Sequence, residues 1–425
     1  MKVFKFGGAS VKDAKSVRNV GSILSAYQGE KIVVVVSAMG KTTNKLEGLF
    51  TALESKDKAT FVKKMQEIQT FHQEILSELF SKNTTKSFQL IDSIFDELKE
   101  HYEKDKSASS DFLYDQIVCA GELISSHIVS EYLLELGVKS TWCDARRLIR
   151  TDDNYREANV DWETSKELIT KQISKSFQNV DIIITQGFIG HASCGSTTTL
   201  GREGSDYSAG IFAHCCDAES VYIWKDVPGM LNADPKYFEN TKKLAKISFK
   251  EAIELSYYGA SVIHPKTIKP LQNKNIPLFV KSFIDPNEAG TEIQSLTKDD
   301  GLIPSFIIKK GQILFSLMPK DFSFINEANL YGIFKMLATA HVKINLMQNS
   351  ALSFSILVDA HQIKLAKLLA ILQVDFDVRY NENLELVTIR HYDSHTIDMI
   401  CKDKMVIIEQ KTRYTARFVL KSNGD

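Results

Sequence analysis

Lys2-Val3-Phe4-Lys5-Phe6-Gly7-Gly8 stands near the start of the chain, and Lys31-Ile32-Val33-Val34-Val35-Val36 follows one helix later. After its lysine the second stretch is β-branched throughout. With no polar face to offer water, it predicts a strand in a sheet covered on both sides. Between the two, Val11 to Tyr27 sets Val17, Val20, Ile23 and Leu24 at helical spacing. Strand, helix and strand in this order predict a parallel pair with a right-handed crossover.

Outward from this unit the pattern continues. Leu46 to about His101 is helical, rich in Lys and Glu, an excursion away from the sheet. Strand-like runs return at Val138 to Trp142, Asp181 to Thr185, Ser220 to Trp224 and Ile276 to Val280, with helical stretches such as Tyr114 to Leu136 and Phe249 to Tyr258 between them. That alternation predicts an α/β sandwich around a largely parallel sheet. Pro286 to Pro304 collects turn formers and marks a break.

Beyond it, Gln312 to Met318 reads as a strand, Ile325 to Thr339 as a helix, Lys343 to Met347 and Leu352 to Asp359 as strands, and Ile363 to Leu372 as a helix. With Phe376 to Tyr380 and Leu384 to Ile389 as further strands, this is close to a ferredoxin-like βαββαβ module. The remaining thirty or so residues are too few for a second complete one.

Length and composition agree with two domains. A chain of 425 residues exceeds what one core usually organises. Hydrophobic residues at 44% and charged ones at 25% describe an ordinary globular protein. A net charge of −1 gives no basic excess to suggest a nucleic-acid or membrane surface. Met1 to Phe6 lacks the apolar core and cleavage site of a signal peptide, and no uninterrupted apolar run reaches the roughly 18 residues of a span. A cytoplasmic address is expected. The six cysteines show no CxxC spacing, so neither a zinc site nor a disulfide framework is suggested.

Chemistry concentrates at glycine-rich strand ends. Lys5 to Ser10 places a lysine on a buried strand and two glycines where backbone amides can approach phosphate oxygens. Taken alone it is equally a strand-turn with a solvated lysine. Gly40-Lys41-Thr42 is not a Walker A loop, because Val35 stands where the first glycine is needed. Ser37 and Thr43 nevertheless lie where ligands of open α/β sheets gather. Thr185 to Gly190, then Thr197 to Tyr207, surround Arg202 and Asp206 with glycines, with Ser205 or Asp206 expected as the N-cap of a helix. Such a loop can hold a carboxylate and orient a cation; a surface ion pair with a capping Asp reads the same way. Trp224 to Lys236 is a turn-rich loop that could wrap a nucleotide or merely connect two elements.

Together and in order, these segments resemble the aspartate kinases of the amino-acid kinase family. The family's KFGGTS opening is similar to Lys5–Ser10, its SA(x)₄TN strand end to Ser37–Asn44, and its GE pair to Gly121-Glu122. Its TQGFIG and TTTLGRGGSD loops correspond to Thr185–Gly190 and Thr197–Asp206, its TDVPG(x)₄DPR loop to Lys225–Lys236, and its GA(K)VLHP turn to Gly259–Pro265. The resemblance covers about the first 290 residues. It implies an αβα sandwich over 1–290 and an ACT-type regulatory and dimerisation region over 301–425, the second module truncated to strands around Thr396 to Leu420.

The implied activity is transfer of the ATP γ-phosphate, with Mg²⁺, to the side-chain carboxylate of L-aspartate. The implied roles are phosphoryl binding by Lys5 with Gly7 and Gly8, nucleotide binding by Ala9, and catalysis by Lys5 with Asp206, which would help hold the α-ammonium or orient Lys5. Ser37, Thr43, Phe188 and Ser205 would line the aspartate pocket, Arg202 would clamp the α-carboxylate and Glu122 would receive the α-ammonium. Lys225, Asp226, Leu231, Lys236 and Ser261 would contact the nucleotide. The implied assembly is a homodimer through the ACT region, with an amino-acid effector between paired modules; dimerisation without feedback stands beside it.

Several positions depart from the family. Ala9 and Lys225 replace Thr, Lys236 replaces Arg, Ser261 stands where a nucleotide-contacting Lys is common, and Glu203 replaces Gly. Lys225 would compensate for Ser261. Asn345 and Ala351 stand where lysine-sensitive relatives have acids, which argues against a cationic effector. Two other readings stay in view. Another amino-acid kinase is opposed by the pairing of Arg202 with Glu122. An amino-acid sensor with a decayed kinase domain rests on Ala9 and Ser261 and is opposed by retained Lys5, Glu122, Arg202 and Asp206.

Overall fold

The computed structural model describes residues 1–80, 85–104, 109–260, 263–296, 298–321, 323–362 and 365–422. The chain divides into two compact units. The first comprises Met1–Met230, Lys243–Ile253 and Ser261–Asp300; the second comprises Leu231–Lys242, Glu254–Ala260 and Gly301–Asp425.

In the first unit, β1 (Lys2–Phe6), β2 (Ile32–Val36), β3 (Ser140–Cys143), β5 (Ile182–Gln186), β8 (Ser220–Lys225), β9 (Lys246–Ser248), β10 (Leu278–Ser282) and β11 (Thr291–Gln294) form, among the described residues, an eight-stranded sheet. Its order is β3-β5-β2-β1-β8-β10-β11-β9, and only β10 and β11 pair antiparallel. All five residues of β2 are buried, as the β-branched run predicts. Across β1, Phe4 and Phe6 pack on Trp224 on one face, which leaves Lys5 to the other. A small second sheet joins β4 (Arg150–Thr151), β6 (Ile189–Ala192) and β7 (Thr197–Thr199).

The helical excursion consists of α2 (Thr42–Glu54), α3 (Lys58–Leu79) and α4 (Thr85–Lys104), after α1 (Ala14–Ser25). Next come α5 (Ser110–Val118) and α6 (Ala120–Glu135). The run Ser110–Glu135 has the length and hydropathy of a membrane span, yet 78% of its apolar window is buried inside the protein. Its apolar character serves the core. The sheet is further flanked by α7 (Trp162–Ser176), α8 (Gly204–Cys215) and α10 (Pro265–Gln272), while α9 (Phe249–Tyr258) runs from the first unit into the second.

The second unit is built on an antiparallel sheet, six-stranded among the described residues, ordered β13-β14-β12-β15-β17-β16. Its strands are β12 (Ser305–Pro319), β13 (Ile344–Asn349), β14 (Phe354–Asp359), β15 (Phe376–Arg390), β16 (Lys404–Lys411) and β17 (Thr415–Ser422). One core collects Phe315, Leu317, Ile356 and Val358 with residues of α11 (Glu327–Thr339) and α12 (Leu365–Leu372). Another collects Val387, Ile389, Ala416 and Phe418 with α13 (Ser394–Cys401).

Here the structure departs from the sequence reading. Phe376 to Tyr380 and Leu384 to Ile389 are one strand, and Gln312 to Met318 is the second half of another. The pairing of β12 with β15 slips around Gly311 (φ +63°), with Asn383 (φ +57°) on the partner strand, so a bulge carries both strands on instead of ending them. The final residues therefore add β16, β17 and α13 to strand segments contributed by Ser305–Lys309 and Leu386–Arg390.

Candidate active site

The cavity of interest has a volume of about 760 Å³ and lies where β1, β2, β5 and β8 end. At its floor is Lys5. The strand register sets it beside Val35 of β2 and Ile223 of β8, and its Nζ lies 2.5 Å from Asp206 Oδ1. Asp206 sits in the first turn of α8, where the helix dipole favours an anion. Its Oδ2 is 3.5 Å from Lys225 Nζ. Burial pushes the Asp206 carboxyl up, but Lys5 and Lys225 prevail and hold it below the ordinary carboxylate range.

Glycines let the walls close. A Cβ on Gly8 would stand 2.8 Å from the Gly40 carbonyl oxygen and 2.9 Å from that of Ala38, so β1 and β2 can end against each other only with glycine there. A Cβ on Gly121 would meet the Ala38 Cβ at 2.8 Å. That close approach brings α6 to the end of β2, where Ala38 N–H donates to Glu122 Oε1 at 3.1 Å. The other oxygen, Oε2, is buried and has no hydrogen-bond partner. Burial pushes the Glu122 carboxyl up to about 8, against the pull of the Ala38 amide and of Lys5. Its ionised form calls for a cation beside it.

Arg202 is exposed on the cavity wall and makes no hydrogen bond or ion pair among the described residues. Once Glu122 has given up its proton, Glu122 and Arg202 therefore offer a zwitterion one anionic and one cationic partner. Phe188, in the left-handed region at φ +68°, donates its amide N–H to the Ser208 hydroxyl oxygen at 2.9 Å and packs on Gly204. Ser37, Thr43 and Ser205 complete the expected aspartate side of the cavity.

Not every expected residue is on its wall. Gly7, Ala9 and Asp226 are not among the lining residues. Leu231 and Lys236 belong to the segment Leu231–Lys242, which groups with the second unit. Ser261 lies outside the described residues. The helix start also differs from expectation: α8 begins at Gly204, with Glu203 in the N-cap position at φ +55° and no side-chain cap. Ser205 and Asp206 are thus inside the first turn, where both side chains line the cavity.

Sequence reasoning passed over Glu47, Tyr114, Arg156 and Glu157, all on the wall. Tyr114 donates to Glu47 at 2.8 Å and carries the Arg156 guanidinium 4.2 Å above its ring. Arg156 also pairs with Asp111 at 2.5 Å. Behind them Asp115 is fully buried and accepts from the Arg156 amide and from both the amide and hydroxyl of Thr199. The helical pattern of Tyr114 to Leu136 gave no sign of these roles. An Asp amid apolar neighbours was the one available signal.

A family model, the amino acid kinase family, matches residues 1–282. The chain belongs to the amino acid kinase family. Among curated members it is 32% identical over 357 residues to the lysine-sensitive aspartokinase 3 of Escherichia coli, covering 84% of this chain and 78% of that one. To the chloroplastic aspartokinase 2 of Arabidopsis thaliana it is 28% identical over 375 residues, covering 84% of this chain and 66% of that one. Its fold superimposes on E. coli aspartokinase III in complex with aspartate and ADP at a TM-score of 0.81 with 28% identity, over 99% of this chain and 96% of that one. The same enzyme in complex with lysine and aspartate gives 0.83, over 99% and 95%. Within the amino acid kinase family, then, this member's likeness is to the aspartokinases.

Proposed function

We propose that the chain is an aspartate kinase that transfers the γ-phosphoryl group of ATP to the side-chain carboxylate of L-aspartate. The observation that carries this reading is the charge arrangement of one cavity. Glu122 and Arg202 match an α-ammonium and an α-carboxylate, while Lys5, Asp206 and Lys225 gather at the strand ends where a phosphoryl group would be handled. Arg202 clamps the α-carboxylate through paired N–H donors. Glu122 Oε2 takes the α-ammonium, with Ser37, Thr43, Phe188 and Ser205 shaping the pocket.

The acceptor carboxylate has a solution pKa of about 4. It is ionised at neutral pH, so no general base is needed. The work left to the protein is positioning and charge neutralisation, and Lys5, oriented by Asp206, supplies the latter. Mg²⁺ would enter with the nucleotide, on its phosphates, and lower their charge there. Gly7, Gly8, Ala9, Asp226, Leu231, Lys236 and Ser261 remain the proposed nucleotide contacts. A sensor with a decayed kinase domain finds no support, since Lys5, Glu122, Arg202 and Asp206 meet at one cavity.

A cytoplasmic homodimer joined through the second unit completes the reading. Purified protein incubated with ATP, Mg²⁺ and hydroxylamine should give aspartyl hydroxamate with aspartate and none with glutamate or buffer. Absence of the aspartate product would overturn the assignment. Sedimentation of the same sample tests the dimer, and adding lysine, threonine or methionine tests feedback.

A further inference from the structure

Lys225 ends β8, the parallel neighbour of β1. Lys5 pairs in register with Ile223 and Phe6 with Trp224, so Lys225 stands one residue past that paired stretch, beside Ser282 of β10. Its ammonium reaches the same carboxylate that Lys5 holds: Asp206 offers Oδ1 to Lys5 at 2.5 Å and Oδ2 to Lys225 at 3.5 Å. The three side chains are 9%, 3% and 21% exposed for Lys5, Asp206 and Lys225, so solvent screens this cluster weakly. Asp206 carries one charge against the two ammonium groups it touches, and it spaces them on either side of itself. Both lysines line the cavity.

We propose that Lys225 is a second phosphoryl-binding cation, acting with Lys5 on the group in transfer instead of on the base or ribose. This rests on the aspartate kinase reading. In the transfer the bond from the γ-phosphorus to the β,γ-bridging oxygen breaks, and its electron pair leaves on ADP. A bond forms from that phosphorus to an oxygen of the aspartate side chain, and no proton moves. Negative charge shifts over the oxygens around phosphorus, and two ammonium groups held apart by Asp206 can meet two of them.

The test compares the full chain with Lys225→Met, Lys225→Thr and Lys225→Arg. Hydroxamate formation gives kcat and each KM; calorimetry with Mg²⁺ gives affinities for ADP and for a non-hydrolysable ATP analogue. Loss of one preorganised transition-state donor predicts a fall of about 100-fold in kcat/KM for ATP with Met or Thr, and retention within about tenfold with Arg. Affinity for the analogue should fall while that for ADP, which lacks the γ-phosphate, stays within about twofold. Unchanged turnover in Lys225→Met would overturn the proposal. So would equal losses of ADP and analogue binding with Arg no better than Met, the pattern of a structural role. If the unaltered protein makes no aspartyl hydroxamate, the activity assignment fails instead, and the analogue-to-ADP ratio still decides whether Lys225 reads the γ-phosphate.

Discussion

At the scale of single residues, Glu122 sets a pH dependence. Burial pushes its carboxyl up to about 8, so below that pH the free protein holds it protonated. Only the carboxylate accepts an ammonium group, so binding aspartate at lower pH must expel a proton. kcat/KM for aspartate should therefore rise as pH climbs from 6 toward 8 and level off above it. Glu122→Gln should abolish that slope and weaken aspartate binding by about 2 kcal/mol, the scale of a hydrogen bond to a charged group; a flat profile in the unaltered protein would refute the role. Glu203 poses a different question. It sits at φ +55° with a buried Oε2 that finds no partner. Glycine there should relieve about 1 kcal/mol of left-handed strain and lose roughly half of that to a freer unfolded chain. Urea unfolding of Glu203→Gly should show a small net gain. Lys5, Arg202 and Asp206 were legible because glycines flank them in motifs. Arg156 and Glu203 as left-handed residues were not, since nothing in their identity announces a positive φ.

At the scale of elements, α5 matters through what it anchors. Asp115 binds the Arg156 amide, which leads to Glu157 on the cavity wall, and it binds Thr199 at the end of β7, three residues before Arg202. It is a positioning residue. Asp115→Ala would strand the buried amide and hydroxyl of Thr199 and the part-buried amide of Arg156, each costing about 1 kcal/mol. Unfolding should show a loss of roughly 3 kcal/mol, and KM for aspartate should rise more than KM for ATP. An unchanged ratio of the two constants would show that the anchor does not serve the carboxylate clamp. The strands β1, β2, β5 and β8 were legible from their apolar runs, β-branched in β2 and β5 and aromatic-rich in β1 and β8. The short strands β4, β6 and β7 were not, because two to four residues carry no periodicity and their pairing is settled by distant partners. The continuity of β12 and β15 was hidden for a related reason: Gly311 and Asn383 look like turn residues, and only cross-strand pairing makes them a bulge.

At the scale of the whole molecule, the break near Pro286 to Pro304 marks where the chain enters the long strands of the second unit, yet that unit also takes in Leu231–Lys242 and Glu254–Ala260. No local pattern could show this, because it depends on contacts between positions far apart in sequence. Asn232 donates from its side chain to the Pro304 carbonyl at 2.9 Å, and its own carbonyl accepts from the Phe306 amide at 2.7 Å. Phe238 packs on Phe306 with ring centres 5.2 Å apart, and Lys310 lies 4.7 Å over the Tyr237 ring. The loop carrying Leu231 and Lys236 is thus held by residues beyond position 300. A chain ended at Asp300 keeps every lining residue of the cavity but strips that loop of these partners. It should melt at lower temperature and bind the ATP analogue at least about tenfold more weakly, a loss of about 1.4 kcal/mol, while aspartate affinity changes less. Asn232→Ala in the full chain is the milder counterpart, removing the bonds to Pro304 and Lys242 without deleting the sheet, and should move nucleotide affinity the same way. Unchanged nucleotide affinity in Asn232→Ala would show instead that this loop does not serve the nucleotide.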